Sequence, residues 1–414
     1  MSACPQAGPK RQKMRDQRAS DFVDYFQGID RVEFKQIGGT NDVLYYNHYN
    51  SSERLRGRTM EEWLKFSVSF TAFKYNAFDT DLIPQTDNFD EYKSKWDEIT
   101  DFILELSQRT HVKPLWIAPD LHSYTRYATG AATNNDVNIF VQAAAQTKKC
   151  LEMAHRLNTE CFLFWPYREG YDNPFRCDLQ REMKLLAKLF KMTAEYKERL
   201  CYRGQLMILP YYEHSEYKSY MLCENFKNDS ISKRYMWDAM SCLSFLRHYN
   251  LERYYKICAA PGHQLYLTSV YDGLAGAVVV GDEDLKVLVV TIKAVIDQGS
   301  PVIGGFNLNV RPRRDSADSH DLMAAYIRCA DAVARAFRVA ALLMAEQMFS
   351  KHVQQKYSSF GSGPGARLAA DLSLHDCEEH LKKNHIHYND MFSSSKSEYW
   401  DLVFQRYLDG CTNV

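Results

Sequence analysis

Cys161-Phe162-Leu163-Phe164-Trp165-Pro166-Tyr167-Arg168-Glu169-Gly170-Tyr171-Asp172 is the stretch whose reading decides the fold. A short apolar run climbs to Trp165, a polar turn follows, and an amphipathic pattern then begins near Leu179 and continues to about Leu200. An apolar run without alternation suits a strand covered on both faces, so the order is strand, loop, helix, one unit of a parallel α/β protein. Trp165 then stands at the strand's C-terminal end, the end at which barrels of such units carry their chemistry.

The same alternation extends outward in both directions. Upstream, residues 60–63 read as a short helix and 64–70 alternate apolar and polar as a strand does. A second strand ends at Phe78-Asp79-Thr80-Asp81-Leu82-Ile83-Pro84, and helical periodicity from Phe89 to Gln108 sets Trp96, Ile99, Phe102, Ile103 and Leu106 on one face. A strand from His111 to Ile117 and a loop from Tyr124 to Asn135 lead to a helix over 136–157, capped by Asn134 or Asp136. Downstream come a strand over 204–210, a helix from about Lys233 to His248, a strand over 255–259 and a shortened segment to Gly273. A strand over 275–280, a helix over 285–297 and a last strand over 302–309 complete the series. Strands and helices alternating at this spacing predict an α/β protein with a parallel sheet, closed or open.

Past Asp321 the chain changes character: a long Ala-rich helix to about Gln355, a Gly/Ser/Pro linker over 358–366, then helical segments to about Leu408. The expected division is a disordered basic stretch over 1–20, a barrel over 21–325 and a helical arm over 326–414 that wraps the barrel or a second subunit.

Composition excludes several classes. A formal net charge of -1 over 414 residues argues against nucleic acid as a main partner, which would want a basic face. The 11 cysteines are scattered with no C-x-x-C pair, so neither a disulfide framework nor a thiolate zinc site is expected, and the thiols read as reduced and cytoplasmic. No apolar run approaches the roughly 20 residues a membrane span needs, and the basic residues of 1–20 surround no apolar core of a signal peptide.

Several motifs then fall into the order of one family. Asp30-Arg31-Val32, Met60-Glu61-Glu62, Tyr127-Ala128-Thr129-Gly130-Ala131-Ala132-Thr133-Asn134, Arg168-Glu169-Gly170-Tyr171, and Gly304-Gly305-Phe306-Asn307 with Arg313-Arg314 span nearly the whole chain. From about Asp21 to Leu408 the sequence resembles the longer-chain class of xylose isomerases. The resemblance implies a TIM (β/α)8-type barrel whose helical C-terminal arm embraces a partner subunit. It also implies isomerisation of an aldose to a ketose by a hydride shift. Two divalent cations would promote that shift, held by carboxylates and a His, with a Lys near the substrate carbonyl and a His–Asp pair for ring opening.

Measured against that pattern, the metal positions of this sequence are changed. The strand that should read Glu, Pro, Lys reads Leu209-Pro210-Tyr211; the next expected Glu is Ala260, with its companion His kept as His263. The nearest match to an expected Asp on the strand over 275–280 is Val279, and the last expected Asp is Asn309. Asp282-Glu283-Asp284 keeps the spelling of a ligand pair but sits where a helix cap with an acidic first turn is expected. Phe78-Asp79-Thr80-Asp81 looks like the family's Phe-His-Asp-x-Asp with the His deleted, and Phe70 and Phe78 are too close for a full βα unit. Either the first helix is lost and the barrel distorted there, or only seven strands close.

No metal and no cofactor are therefore expected, and no catalytic residue of the two-metal reaction survives. The remnant pocket would be lined by Asp81, Trp165, Tyr211, His263 and Asn309. Tyr211, Tyr212, Glu213 and His214 could form a new polar site, and His122, replacing a substrate-lining aromatic, could pair with Asp120 as acid and base. The expected function is that of a catalytically inactive relative acting as a self-associating scaffold, a dimer, higher homo-oligomer or filament, with protein partners met through the arm. The competing expectations are a metal-independent sugar or small-molecule binder using the remnant pocket, and an enzyme of changed chemistry.

Overall fold

The computed structural model describes residues 34–36, 75–82, 88–110, 113–210, 233–280, 284–298, 303–309, 319–361, 373–384 and 394–410. Ten strands occur among them: β1 (Phe34–Gln36), β2 (Tyr75–Phe78), β3 (Pro114–Ala118), β4 (Cys161–Phe164), β5 (Gly170–Tyr171), β6 (Gln205–Ile208), β7 (Lys233–Arg234), β8 (Tyr255–Ala259), β9 (Leu274–Val280) and β10 (Gly305–Asn309). Eight form one sheet in the order β1-β10-β9-β8-β6-β4-β3-β2, every neighbouring pair parallel.

That order runs as the staves of a barrel do, with one seam. β1 and β2 come into contact, yet no hydrogen-bonded ladder joins them among the described residues. All eight strands are in the sheet, and the distortion expected between a strand over 64–70 and Phe78 falls on residues outside those described. The strand and helix expected over 60–70 lie outside the described residues. β1 stands at 34–36.

The helices that cover the sheet follow their expected places, with informative shifts. After the single turn α1 (Asp79–Leu82), α2 (Phe89–Thr110) buries Trp96, Ile103 and Leu106, but Phe102 of its predicted apolar face stands 48% exposed. α3 (Val137–Arg156) is capped by Asp136, whose carboxylate accepts from Asn138 N at 2.8 Å; Asn134 instead donates to Gly130 O at 2.8 Å and ties the preceding loop. α4 (Leu179–Arg199) starts at an Asp178 cap.

The helix expected from Lys233 begins only at Ala239, as α5 (Ala239–His248), because β7 pairs antiparallel with β5 and Asp238 closes a capping box with Ser241. The shortened segment before Gly273 still holds α6 (His263–Val270). α7 (Leu285–Asp297) is capped by Asp284, which accepts from Lys286 N at 2.8 Å; Asp282 and Glu283 lie outside the described residues. No described helix is long and apolar enough to cross a membrane, and the eight described cysteines are all free.

The chain divides into two compact units at Ala334/Arg335. The Ala-rich helix runs as α8 (Ser319–Glu346), and the single helix expected to reach Gln355 is broken at Gln347, whose φ of 56° is left-handed; α9 (Met348–Lys356) resumes after it. In the second unit α10 (Leu374–Asn384) and α11 (Ser397–Leu408) follow, with Val403, Tyr407 and Leu408 buried and Phe349 ringed by Trp400 and Phe404.

Candidate functional site

The sheet's interior is a single apolar cluster. Leu115, Trp116 and Ala118 of β3, Cys161 and Leu163 of β4, Met207 of β6, Cys258 of β8 and Val278 of β9 meet inside it, and Leu209 and Ala260, just past β6 and β8, join them. Trp165 packs on top of the cluster. Leu209 and Ala260 are each only 5% exposed, so the positions expected to carry carboxylates supply alkyl surface to the core. Ala275 and Val278 are the β9 residues in this cluster, and Val279, the nearest match to an expected Asp, is fully buried.

Of the expected remnant pocket, only Trp165 and His263 have described side chains. Trp165 is half-buried at the mouth, whereas His263 begins α6 and is exposed. Asn309 ends β10 and Asp81 lies in α1, at strand C-terminal ends, but their side chains are not among those described. Tyr211 and its followers Tyr212, Glu213 and His214 lie outside the described residues. Among the described residues no group of three or more His, Cys, Asp or Glu side chains is placed to hold a cation.

The polar side chains that do converge come from the ends of β2, β3 and β4. His122 is 5% exposed, and its Nδ1 lies 3.0 Å from Asp120 Oδ1, outside good hydrogen-bond angle. The same Oδ1 accepts from the backbone N–H groups of His122 at 3.1 Å and Ser123 at 2.8 Å, so one oxygen organises the turn that carries the imidazole. The ring stands edge-on to Trp165 at 4.6 Å and 71°, and is flanked by Phe78 at 5.5 Å and Tyr167 at 5.9 Å. The geometry left open by the sequence is thus fixed by packing: His122 and Asp120 are a pair, walled by aromatic rings.

Beneath that pair lies Asp79, which the sequence reading passed over in favour of Asp81. Its carboxylate accepts from Tyr92 Oη at 2.7 Å, from Asp120 N at 2.7 Å and from Gln146 Nε2, whose own Oε1 accepts from Tyr127 Oη at 2.7 Å. Burial, and then the charge of Asp120, push Asp79 up from the usual carboxylate range to about 6 against those hydrogen bonds. Burial likewise holds the Tyr92 phenol and the Cys150 thiol protonated.

A folded-state pKa above the unfolded one means the native chain holds a proton that the unfolded chain has released. Asp79's contribution is complete below about pH 4 and is lost as pH rises through about 6, a swing on the order of 3 kcal/mol. Urea unfolding midpoints between pH 4.5 and 7.5 check this (a range set by the two pKa values): Asp79→Asn is expected to flatten that fall, and a slope identical to the parent chain's would refute the assignment.

Glu169, of the Arg168-Glu169-Gly170-Tyr171 motif, is the other carboxylate the sequence did not single out. Its Oε1 accepts from Ala131 N at 3.0 Å and Ala132 N at 2.9 Å, its Oε2 from Thr133 N at 3.0 Å and Thr133 Oγ1 at 2.6 Å. It joins two of the quoted motifs into one turn at the mouth. A carboxylate bracketed by that many donors is positioned to hold a loop, not to move protons.

Comparison with known proteins finds similarity over most of the chain. The xylose isomerase of Enterococcus faecalis is 29% identical over 440 aligned positions, covering 88% of this chain and 97% of that protein. The xylose isomerase of Arabidopsis thaliana is 26% identical over 453 positions, covering 92% and 90%. The chain is xylose-isomerase-like. No family model matches it. Among solved structures, a 3-keto-D-glucoside 4-epimerase from E. coli superposes on this xylose-isomerase-like chain with a TM-score of 0.45 at 10% identity, covering 72% of this chain and 98% of that one. The curated relatives it resembles are named xylose isomerases.

Proposed function

We propose that this xylose-isomerase-like chain does not carry out two-metal aldose–ketose isomerisation and serves instead as a self-associating cytoplasmic protein, a homo-oligomer or filament. The observation that carries the reading is the packing of Leu209 and Ala260 in the interior cluster. Two dications need hard oxygen ligands. Alkyl groups there supply none, and an uncompensated charge against that surface would cost several kcal/mol or more. The cation pair implied by the resemblance does not fit these residues, so no step of a reaction is routed through it. The expected assay result is no conversion of xylose to xylulose with magnesium, manganese or cobalt; turnover with any of them overturns the proposal.

Self-association is supported by what the second unit leaves uncovered. Val353 with Tyr357, Leu374 with Leu381, and Tyr399 with Leu402 are exposed apolar pairs at helical spacings. α11 also buries Val403, Tyr407 and Leu408, whereas α9 buries none of its residues; exposed apolar surface of this kind wants a cover, and a further copy of the same chain supplies it at no loss of symmetry. Sedimentation velocity of the full chain over a concentration series is expected to give species larger than a monomer, reduced in mass by Tyr399→Glu with Leu402→Glu. A monomer at every concentration would defeat this part of the proposal.

A further inference from the structure

We propose that α10 is a two-fold contact, at which it pairs antiparallel with α10 of a second copy of this chain. The inference rests on the self-association reading and deepens it, since the contact is a helix on its own copy and not an arm around a barrel. α10 has 11 residues, and an isolated helix shorter than about 12–15 residues is marginal in water. Its side chains from Leu374 to Lys383 are exposed, save a half-buried His380. The support it draws from its own neighbourhood in sequence is small. Ser373 N donates to Asp376 Oδ2 at 2.9 Å and Asp376 N to Ser373 Oγ at 3.2 Å, which closes the first turn. Lys382 pairs with Glu378 and His375 with Glu379, both i,i+4 pairs in open water that add little. A short helix with so little packing needs a cover.

Leu374, Cys377 and Leu381 follow one another at i, i+3 and i+7, so they fall on one stripe, the spacing by which two helices pack along a seam. Leu374 is 91% exposed and Leu381 38%, with the exposed Cys377 between them. The charges choose the occupant and its direction. Asp376, Glu378 and Glu379 lie in the first half of the helix, Lys382 and Lys383 in the second. A parallel copy would set acid on acid and base on base, whereas an antiparallel copy sets each acidic half against a basic one. The opposed helix dipoles favour the same arrangement. With the two-fold axis at Glu379, Cys377 meets Leu381 of the second copy, and Glu378 falls beside its Lys382. Each contact is made twice by symmetry. An unrelated protein would need both the apolar stripe and the reversed order of charge, and a second copy carries the two by construction.

Full-chain Leu381→Cys, treated with diamide and run on a non-reducing gel, tests the register. The introduced thiol and the native Cys377 of the other copy each give up a hydrogen to diamide, and the S–S bond formed between them makes a covalent dimer. The expected result is a dimer band several-fold stronger than the parent chain's, lost again when Cys377→Ser is added. No gain in the band, or a gain that survives Cys377→Ser, overturns the antiparallel contact. Leu374→Glu with Leu381→Glu is expected to raise the dissociation constant roughly tenfold or more in sedimentation velocity, with an unchanged circular dichroism melt. Unchanged association in that variant overturns the α10 contact while self-association stands. A parent chain that is monomeric at every concentration instead overturns self-association itself, so the two failures are distinguishable.

Discussion

Glu169→Ala is expected to lower the unfolding free energy by about 4 kcal/mol, read as a large drop in the urea midpoint, because it strands several buried donors at once. The carboxylate accepts from three successive backbone N–H groups, Ala131 to Thr133, and from the Thr133 hydroxyl, in a site that is buried. Charge-assisted acceptance is stronger than neutral, and water cannot replace it inside the turn. Glu169→Gln keeps the shape but turns an NH2 toward one pair of donors, so about half the loss is expected.

Gly130 offers an independent reading of the same turn. Its φ is +94°, and a Cβ there would stand 2.3 Å from Thr133 Oγ1 and 2.9 Å from Glu169 Oε2. Gly130→Ala therefore strains the backbone and displaces the acceptor together. The double variant should be less destabilised than the two single effects combined, since both break one network. A Glu169→Ala chain within about 1 kcal/mol of the parent would show that this turn does not depend on the carboxylate.

Leu209→Glu restores the residue type the resemblance expects, and it is expected to destabilise by about 3–5 kcal/mol without creating a metal site. The new carboxylate would enter the cluster that also holds Leu163, Met207, Cys258 and Ala260, none of which can neutralise it. In that setting the acid is expected to stay protonated near neutral pH, since burial disfavours the ionised form. Ala260→Glu alone adds bulk as well as charge to a filled interior, and the pair together should fail to fold at room temperature. Midpoints in urea, with and without manganese, give the answer. A variant stabilised by manganese, or one that isomerises xylose, would mean the rest of the ligand set is still in place and would overturn the functional proposal.

The elements were readable where local pattern and tertiary setting agree. β3, β4, β6, β8 and α4 fall within a few residues of their expected places because apolar runs and amphipathic periods report burial directly. The start of α5 was not readable. Lys233 and Arg234 satisfy a helical pattern, but they are claimed by pairing with Gly170 and Tyr171, far away in sequence. The break at Gln347 carries no glycine or proline to announce it.

The candidate site divides in the same way. Residue identity alone fixes that Leu209 and Ala260 carry no oxygen or nitrogen with which to grip a cation. Which residues meet at the mouth is a matter of three dimensions. Asp79 became a buried acid because Tyr92, Gln146 and Asp120, far apart in sequence, converge on it. His122 became a fixed group only because Phe78, Trp165 and Tyr167 close around it. Sequence determined the order of strands and helices and the chemistry absent from them, since both are written in side-chain type and period. The surviving polar constellation was decided by tertiary structure, because hydrogen bonds and ring contacts among residues tens of positions apart exist only once the sheet has brought its strand ends together.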